Sequence, residues 1–397
     1  MRPFFWIASL VGLVLTACET RQPVVTAHKQ PIKPPHLETA AKPVVSKTGA
    51  DSTIASVFGK IYYGQILLPA PDASQALPHL LLDKQLWRIR TAAQADSAHP
   101  LTFTEAADKE NHLPATVEKG VDVQYAFQLL DQRGHARFTK RMRKADFASV
   151  VYGGLRTVAP ASPPTYLGYW PARRALVFNV NFVRGETDEG LQTLLLLDVT
   201  AGQVLHLAAE EAYMGSCDCW PTLTPDRQTL LAGEELLVAT GRVISLTKSG
   251  RAVAGTRILN DSTFLVVYES GDPSSDRLPS HNAQLIDRTG RVKRTFTFHG
   301  TDTGWASGGY SLEAAFVPAT GTHYLFDGRT TTFTMIPAGR PGALQQLRAE
   351  QLVRFRPPQR ASEKKLEFEY NDTPSAALYV DTLTQQLRYA DTKVSYQ

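Results

Sequence analysis

Apolar positions in this chain fall into short runs broken by polar turns, and the clearest run sets the reading of the rest. Leu194–Leu197 and Val204–Leu207 flank a turn that carries Asp198 and Gly202. Two apolar segments around such a turn predict a β-hairpin. The Asp carboxylate can accept turn N–H groups, and Gly can take φ > 0 without a Cβ clash. Val121–Leu130 alternates apolar and polar positions and turns at Asp131-Gln132-Arg133-Gly134 into Ala136–Lys140. Comparable units turn at Thr247–Gly250, Asp287–Gly290, Asp327-Gly328 and Asp381–Thr384. The starts of the six turns lie 67, 49, 40, 40 and 54 residues apart.

A period near 40 is what a four-stranded propeller blade requires. Two blades are nearly complete in the sequence, over 256–298 and 350–390. The pattern therefore predicts an all-β chain, a six- or seven-bladed β-propeller-like domain of four-stranded antiparallel sheets over 55–397. Within it, 55–120 would be an irregular first blade or a subdomain. Val57–Leu68 reads as one or two strands, and Leu80–Arg90 as a strand or a short helix. Residues 91–120 read as loop with a helical turn, and 141–164 as an inserted loop. Closure would bring Leu387–Tyr389 against structured N-terminal residues, because an open row of blades exposes its end faces. A sandwich with a second β domain is the competing arrangement.

The run Trp220-Pro221-Thr222-Leu223-Thr224-Pro225-Asp226-Arg227-Gln228-Thr229-Leu230 resembles the Trp-Ser-Pro-Asp-Gly-like turn of TolB-type WD40-like propeller repeats. Arg227 stands where that family usually has Gly, and the other units lack the full turn. The resemblance spans about 120–390 and implies a propeller in a periplasmic setting.

The N-terminus changes the picture. Arg2 followed by the apolar stretch Phe4–Leu15 is too short for a membrane span, which needs roughly 20 apolar residues. It has the form of an export signal over 1–17. Leu15-Thr16-Ala17-Cys18 resembles the lipobox of bacterial lipoproteins. That resemblance implies cleavage before Cys18, acylation of its sulfur and amine, and attachment to a bilayer. Glu19 in place of Asp implies, by the same resemblance, the outer membrane. Residues 18–50 form a Pro-rich, disordered tether, with five prolines and no aromatic residue after Cys18. The tether carries a net charge of +3 and Arg2 one more unit of the formal +4, so residues 51–397 balance at 36 basic and 36 acidic side chains. That balance removes the main argument for nucleic-acid binding, which wants a concentrated positive surface.

Chemistry is sparse. With Cys18 acylated, Cys217 and Cys219 remain as a pair in an oxidising compartment, read as a disulfide staple or a redox or soft-metal site. The ten histidines form no zinc signature, and no nucleophile elbow, P-loop or dinucleotide fingerprint occurs. His281, His299 and His323 sit near strand ends, where loops can converge, whereas His206 reads as a packed or edge residue. The loop His299–Tyr310 offers Asp302, Trp305 and Tyr310 as a candidate ligand-binding group, suited to a sugar or peptide by stacking and directed hydrogen bonds. It also suits a plain inter-blade connection. Tyr166, Tyr169 and Trp170 form a second aromatic group. No catalytic residue, metal or cofactor is assigned. Two functions stay open: a non-enzymatic envelope lipoprotein binding a protein, peptide or glycan, and a propeller hydrolase or lyase acting on glycans or peptides.

Overall fold

The computed structural model describes residues 54–57, 60–69, 77–107, 115–185, 187, 189–210, 219–270, 280–302, 310–370 and 373–391. All lie in the compact unit Ala40–Gln397. The signal, Cys18 and the tether lie outside the described residues.

Among the described residues, six β-sheets of four or five strands follow one another along the chain, beside two two-stranded ladders, Ile54–Val57 with Lys60–Tyr63 and Thr301–Asp302 with Tyr310–Ser311. The first contains His79–Leu82, Gln85–Glu105, Thr116–Leu130 and Ala136–Arg143 in sequential order. The second is Thr165–Trp170, Ala175–Val183, Gly190–Asp198 and Val204–Glu210. The third runs from Thr222–Leu223 to Val243–Ser245 and gains Gln65–Ile66 as a fifth strand. The fourth spans Arg251–Asn260 to Val292–Phe296, and the fifth Ala314–Val317 to Gln345–Arg348. In the sixth, Glu363–Tyr370, Thr373–Asp381 and Leu387–Asp391 form an antiparallel meander, with Val353–Arg354 added in parallel beside the last strand. This is a β-propeller-like succession of six blades.

Buried clusters join the sheets in order. Leu195 and Leu197 of the second sheet pack with Ile89, Tyr125 and Phe127 of the first. Leu194 and Leu196 point the other way, onto Leu223 and Leu230 of the third. The unbroken Leu194–Leu197 run thus fills two interfaces, since successive strand residues face opposite sides. Phe264 and Val266 meet the third sheet, while Leu265 and Val267 meet the fifth. Phe326 and Phe333 of the fifth sheet pack on Phe368 of the sixth.

The two end sheets alternate instead. In the first, Val123, Tyr125, Phe127 and Leu129 are buried, while Gln124, Ala126 and Gln128 on the other face remain partly exposed. In the sixth, Leu366 and Phe368 face the fifth sheet, and Lys365 and Glu367 face outward. Phe355 stacks on Tyr379 at 3.7 Å between centroids, and Arg388 lies over Phe355, so this end is covered by its own chain. Among the described residues, no buried cluster joins the sixth sheet to the first. Tyr389 packs against Phe333 of the fifth sheet.

Other expectations are corrected locally. Leu80–Arg90 is a hairpin, with Asp83 and Lys84 both at positive φ in its turn. Residues 91–105 and 116–120 extend the central strands of the first sheet and are not a loop. The polar look of this stretch arises because Thr91, Ala93 and Ala95 lie opposite Phe127, Tyr125 and Val123, which supply the bulk. Residues 141–164 include the helix Gly153–Val158, which Lys144 holds by donating from Nζ to the Thr157 carbonyl at 3.0 Å. Thr247–Gly250 links the third sheet to the fourth and is not a hairpin turn within a blade.

Of the expected irregular first blade over 55–120, residues 79–105 and 116–120 belong to the first sheet, and the N-terminal segment before them does not. It runs beside the first strands of the second to fifth sheets. Leu67 lies so close to Gly168 that a Cβ there would come within 2.8 Å of its side chain. Ile66 and Gln65 pair with Thr222 and Leu223, and Gly64 at φ +100° passes the Leu223 carbonyl. Tyr62 takes the Arg257 guanidinium over its ring at 5.3 Å, and Tyr63 packs edge-on to Phe316 at 5.2 Å.

The recurrent turn aspartates each accept local N–H groups. Asp131 accepts from Arg133 and His135, and Asp198 from Thr200 and Ala201. Asp287 accepts from Thr289 and Arg291, and Asp381 from Leu383 and Thr384. Desolvation pushes Asp131 and Asp287 upward, but these bonds, with Lys293 beside Asp287, hold both carboxyls below the ordinary 3.8. The Thr384 N–H leads the same lowering at Asp381. A depressed folded pKa gives stability that is present above the unfolded value and lost as pH falls through the folded one. The thermal midpoint should therefore drop as pH falls below 3.8. The triple variant D131N/D287N/D381N should start lower at neutral pH and lose part of that acid dependence. Parallel acid curves for the two proteins in a thermal melt series would contradict this account.

Candidate functional site

A half-open pocket with about 440 Å³ of empty space, its mouth included, lies where the N-terminal segment crosses the third, fourth and fifth sheets. Tyr62, Tyr63 and Ile66 form the wall supplied by the segment. Thr256, Arg257 and Ile258 come from the first strand of the fourth sheet, and Phe316 and His323 from the fifth. Trp220, 42% exposed, also lines it. Alternation along Thr256-Arg257-Ile258 sends neighbouring side chains to different sides, so the segment can touch all three only because it passes along the strand's open edge.

His323 is buried, stacks against Phe316 at 4.6 Å and lies 5.8 Å from Tyr63. Its Nε2 is 2.9 Å from the Leu259 carbonyl oxygen, which can only accept, so Nε2 carries the proton and Nδ1 the lone pair. Burial pushes its pKa down to about 4; the Leu259 bond opposes this and the Arg257 charge adds to it. The ring is therefore neutral at neutral pH. Arg257 donates from Nη1 to the Thr256 carbonyl at 2.8 Å and from Nη2 to the Leu312 carbonyl at 3.3 Å. The Thr256 hydroxyl is buried without a hydrogen-bond partner. Among the described residues, no carboxylate lines the pocket.

Beside it, Asp226 and Asp261 tie the third sheet to the fourth. The Asp226 N–H donates to Asp261 Oδ1 at 3.0 Å, and Arg288 donates both to Asp226 Oδ2 and to the Asp261 carbonyl. Burial raises Asp261, opposed by the hydrogen bond from the Asp226 N–H and aided by the Asp226 charge. Burial also acts to raise Asp226, but bonds from Thr224 and Arg288 outweigh it and lower the group. Asp226 is the Asp of the TolB-like turn, and its Oδ1 accepts from Thr224 Oγ1 and the Gln228 N–H. Burial first, then these two charges, raise the Tyr63 hydroxyl and keep it protonated.

The sequence-derived candidates fare differently. Cys219 is buried and disulfide-bonded, packed with Leu231 and Phe264, while Cys217 lies outside the described residues. Asp302 and Tyr310 pair across a two-stranded ladder, and Trp305 lies outside the described residues. His206 Nε2 lies 2.6 Å from Glu235 Oε2, a tie between the second and third sheets. His281 is exposed in a turn. His299 donates its backbone N–H to Asp327, and its Nδ1 is buried without a partner. Tyr166 packs on Phe178, and Trp170 is fully buried with its indole N–H donated to the Arg227 carbonyl. These aromatics build interfaces. His323 lies near a strand end, as expected, being the second residue of Thr322–Asp327, and its side chain is buried. Sequence reasoning missed Tyr62, Tyr63, Thr256, Arg257 and Phe316. The only signal for the first two was the strand-like Lys60–Tyr63 before Gly64. Among the described residues, no three metal-ligating side chains converge.

No protein-family model matches this sequence, and no curated protein matches it. Solved structures give distant likenesses. A periplasmic gluconolactonase of Pseudomonas aeruginosa is 12% identical, with 83% of this chain and 86% of that chain covered and a TM-score of 0.29. Hydrazine synthase of Kuenenia stuttgartiensis is 13% identical over 68% of this chain and 73% of that one, at a TM-score of 0.26. A functionally unknown protein from Desulfotomaculum acetoxidans is 13% identical over 55% and 76%, at 0.28. Likeness at this level carries no argument about chemistry, and the fold description rests on the sheet order itself.

The neutral buried His323 makes a testable signature. Its lowered pKa gives stability that is complete above the unfolded value of 6.5 and lost as pH falls toward 4. The thermal midpoint of the protein should fall over that window, before the turn aspartates titrate. His323→Gln should lower the midpoint at neutral pH and flatten the curve between pH 6.5 and 4. An unchanged slope in the variant would show that another group titrates there.

Proposed function

We propose that this chain is an exported, lipid-anchored protein of the bacterial cell envelope whose propeller-like body binds a peptide, protein or glycan without transforming it. The pocket beside the N-terminal segment carries the binding reading. It is lined by aromatic rings, floored by a neutral imidazole and furnished with an unpartnered Thr256 hydroxyl. Flat apolar faces with a few directed polar groups suit recognition of a ring or an aromatic side chain. Among the described residues the lining carries no carboxylate pair of the kind a glycan hydrolase uses, which supports binding as the role of this pocket.

The lipobox-like Leu15–Cys18 supports the anchor and Glu19 the outer membrane. The disulfide at Cys219 supports an oxidising compartment, since such bonds are rare in the cytosol. Cys217 is its proposed partner.

Two measurements test the proposal. In a lipoprotein-processing host, Cys18→Ser should abolish acyl labelling and release the protein from the outer-membrane fraction; retained labelling overturns the anchor. A thermal-shift screen of envelope glycans and peptides should yield ligands whose shift is lost in Thr256→Val and Trp220→Ala. Hits that both variants keep, or turnover of a hit into products, would overturn the binding site or the non-enzymatic reading.

A further inference from the structure

The first sheet has an outward face that no other sheet covers among the described residues, and the charge left unpaired on it is positive. Pairing sets Arg90 beside Gln128 and Thr139, and Ala92 beside Ala126 and Arg141. Arg90 and Arg141 are exposed on this face, and Arg133 is exposed in the turn at its end. None of these three cations forms an ion pair among the described residues. Arg137 and Lys140 belong to the opposite side, where Arg137 lies over the Trp87 ring at 5.2 Å and Lys140 stands beside Phe127. The carboxylates nearby are already engaged. Asp96 and Asp122 hold Arg143, and Asp131 takes the N–H groups of its own turn. Arg88 is spent on the carbonyls of Asp131 and Gln132.

At one edge of the same face, Leu81 and Leu86 lie opposite each other in the hairpin, 70% and 40% exposed. Asp83 in that turn is paired with Arg174 of the second sheet. The combination is a flat, uncupped surface with diffuse positive charge and two protruding leucines. A protein interface usually centres on a packed pocket that buries an anchor, and this face has none. An anionic bilayer surface asks for no pocket: it attracts dispersed Lys and Arg, and shallow apolar side chains can enter the headgroup boundary.

We propose that the outward face of the first sheet docks onto anionic phospholipid headgroups. It rests on the proposed export and anchoring only for the leaflet that it would meet. The tether, with its own net charge of +3, would add to the attraction. The face itself acts independently of the acyl chains.

The test uses the non-acylated chain from residue 19 onward, which retains every described element. It should co-sediment with vesicles of phosphatidylcholine and phosphatidylglycerol at low salt, release at high salt, and ignore vesicles of phosphatidylcholine alone. Arg90→Glu, Arg133→Glu and Arg141→Glu together should weaken binding roughly 100-fold, as expected when three surface cations near anionic lipid are lost. A matched set on other sheets, Arg291→Glu, Arg348→Glu and Lys364→Glu, should change it far less. Both variants should melt close to the parent, since all six positions are exposed. Equal losses in the two sets would assign the binding to overall charge or to the tether and overturn the proposal. No binding to anionic vesicles would do the same, and acyl labelling at Cys18 would stand apart from either result.

Discussion

The structure depends on one constraint: a β-sheet with two apolar faces must have a neighbour on each side. The second to fifth sheets meet it by stacking, and each interface is filled by alternate residues of the same strand. Leu194 and Leu196 belong to one interface, Leu195 and Leu197 to the next. Removing any internal sheet would leave two clusters without a partner. That coupling binds blades with little sequence likeness into one body.

The end sheets answer the same constraint differently. The first replaces its outward apolar residues with Arg, Gln and Ala. The sixth folds Phe355 and Arg388 over Tyr379, with Arg388 also paired to buried Glu363. The N-terminal segment adds a strap along the inner edge. It donates a strand to the third sheet, seats Leu67 against the second and lays Tyr63 on the fifth. The pocket exists because of this strap, since three of its walls belong to sheets and the fourth to residues 61–66.

The same geometry explains the character of the pocket. His323 is driven neutral because it is enclosed by aromatic rings and lies near the Arg257 charge. The carboxylates of this region, Asp226 and Asp261, are committed to Arg288 and to backbone groups outside the lining. What lines the cavity is aromatic and apolar, with the Thr256 hydroxyl, the Arg257 guanidinium and the His323 imidazole as its polar groups.

Much of the fold was legible in the sequence because it is written in local rules. Asp131, Asp198, Asp287 and Asp381 mark hairpin turns since an Asp can satisfy N–H groups two to four residues on, whatever surrounds it. The alternation of Val121–Leu130 and the near-40 period gave strands and blades for the same reason. The sequence also held the contrast between the unbroken Leu194–Leu197, buried on both faces, and the alternating Val121–Leu130, buried on one. Tertiary structure alone decided where the N-terminal segment goes. Lys60–Ile66 has the pattern of any short strand, and its partner Thr222–Leu223 lies more than 150 residues away along the chain. The pocket was hidden for that reason: Tyr62, Arg257 and His323 become neighbours only when three sheets and the strap pack together, and no spacing in the sequence encodes a contact made by stacking.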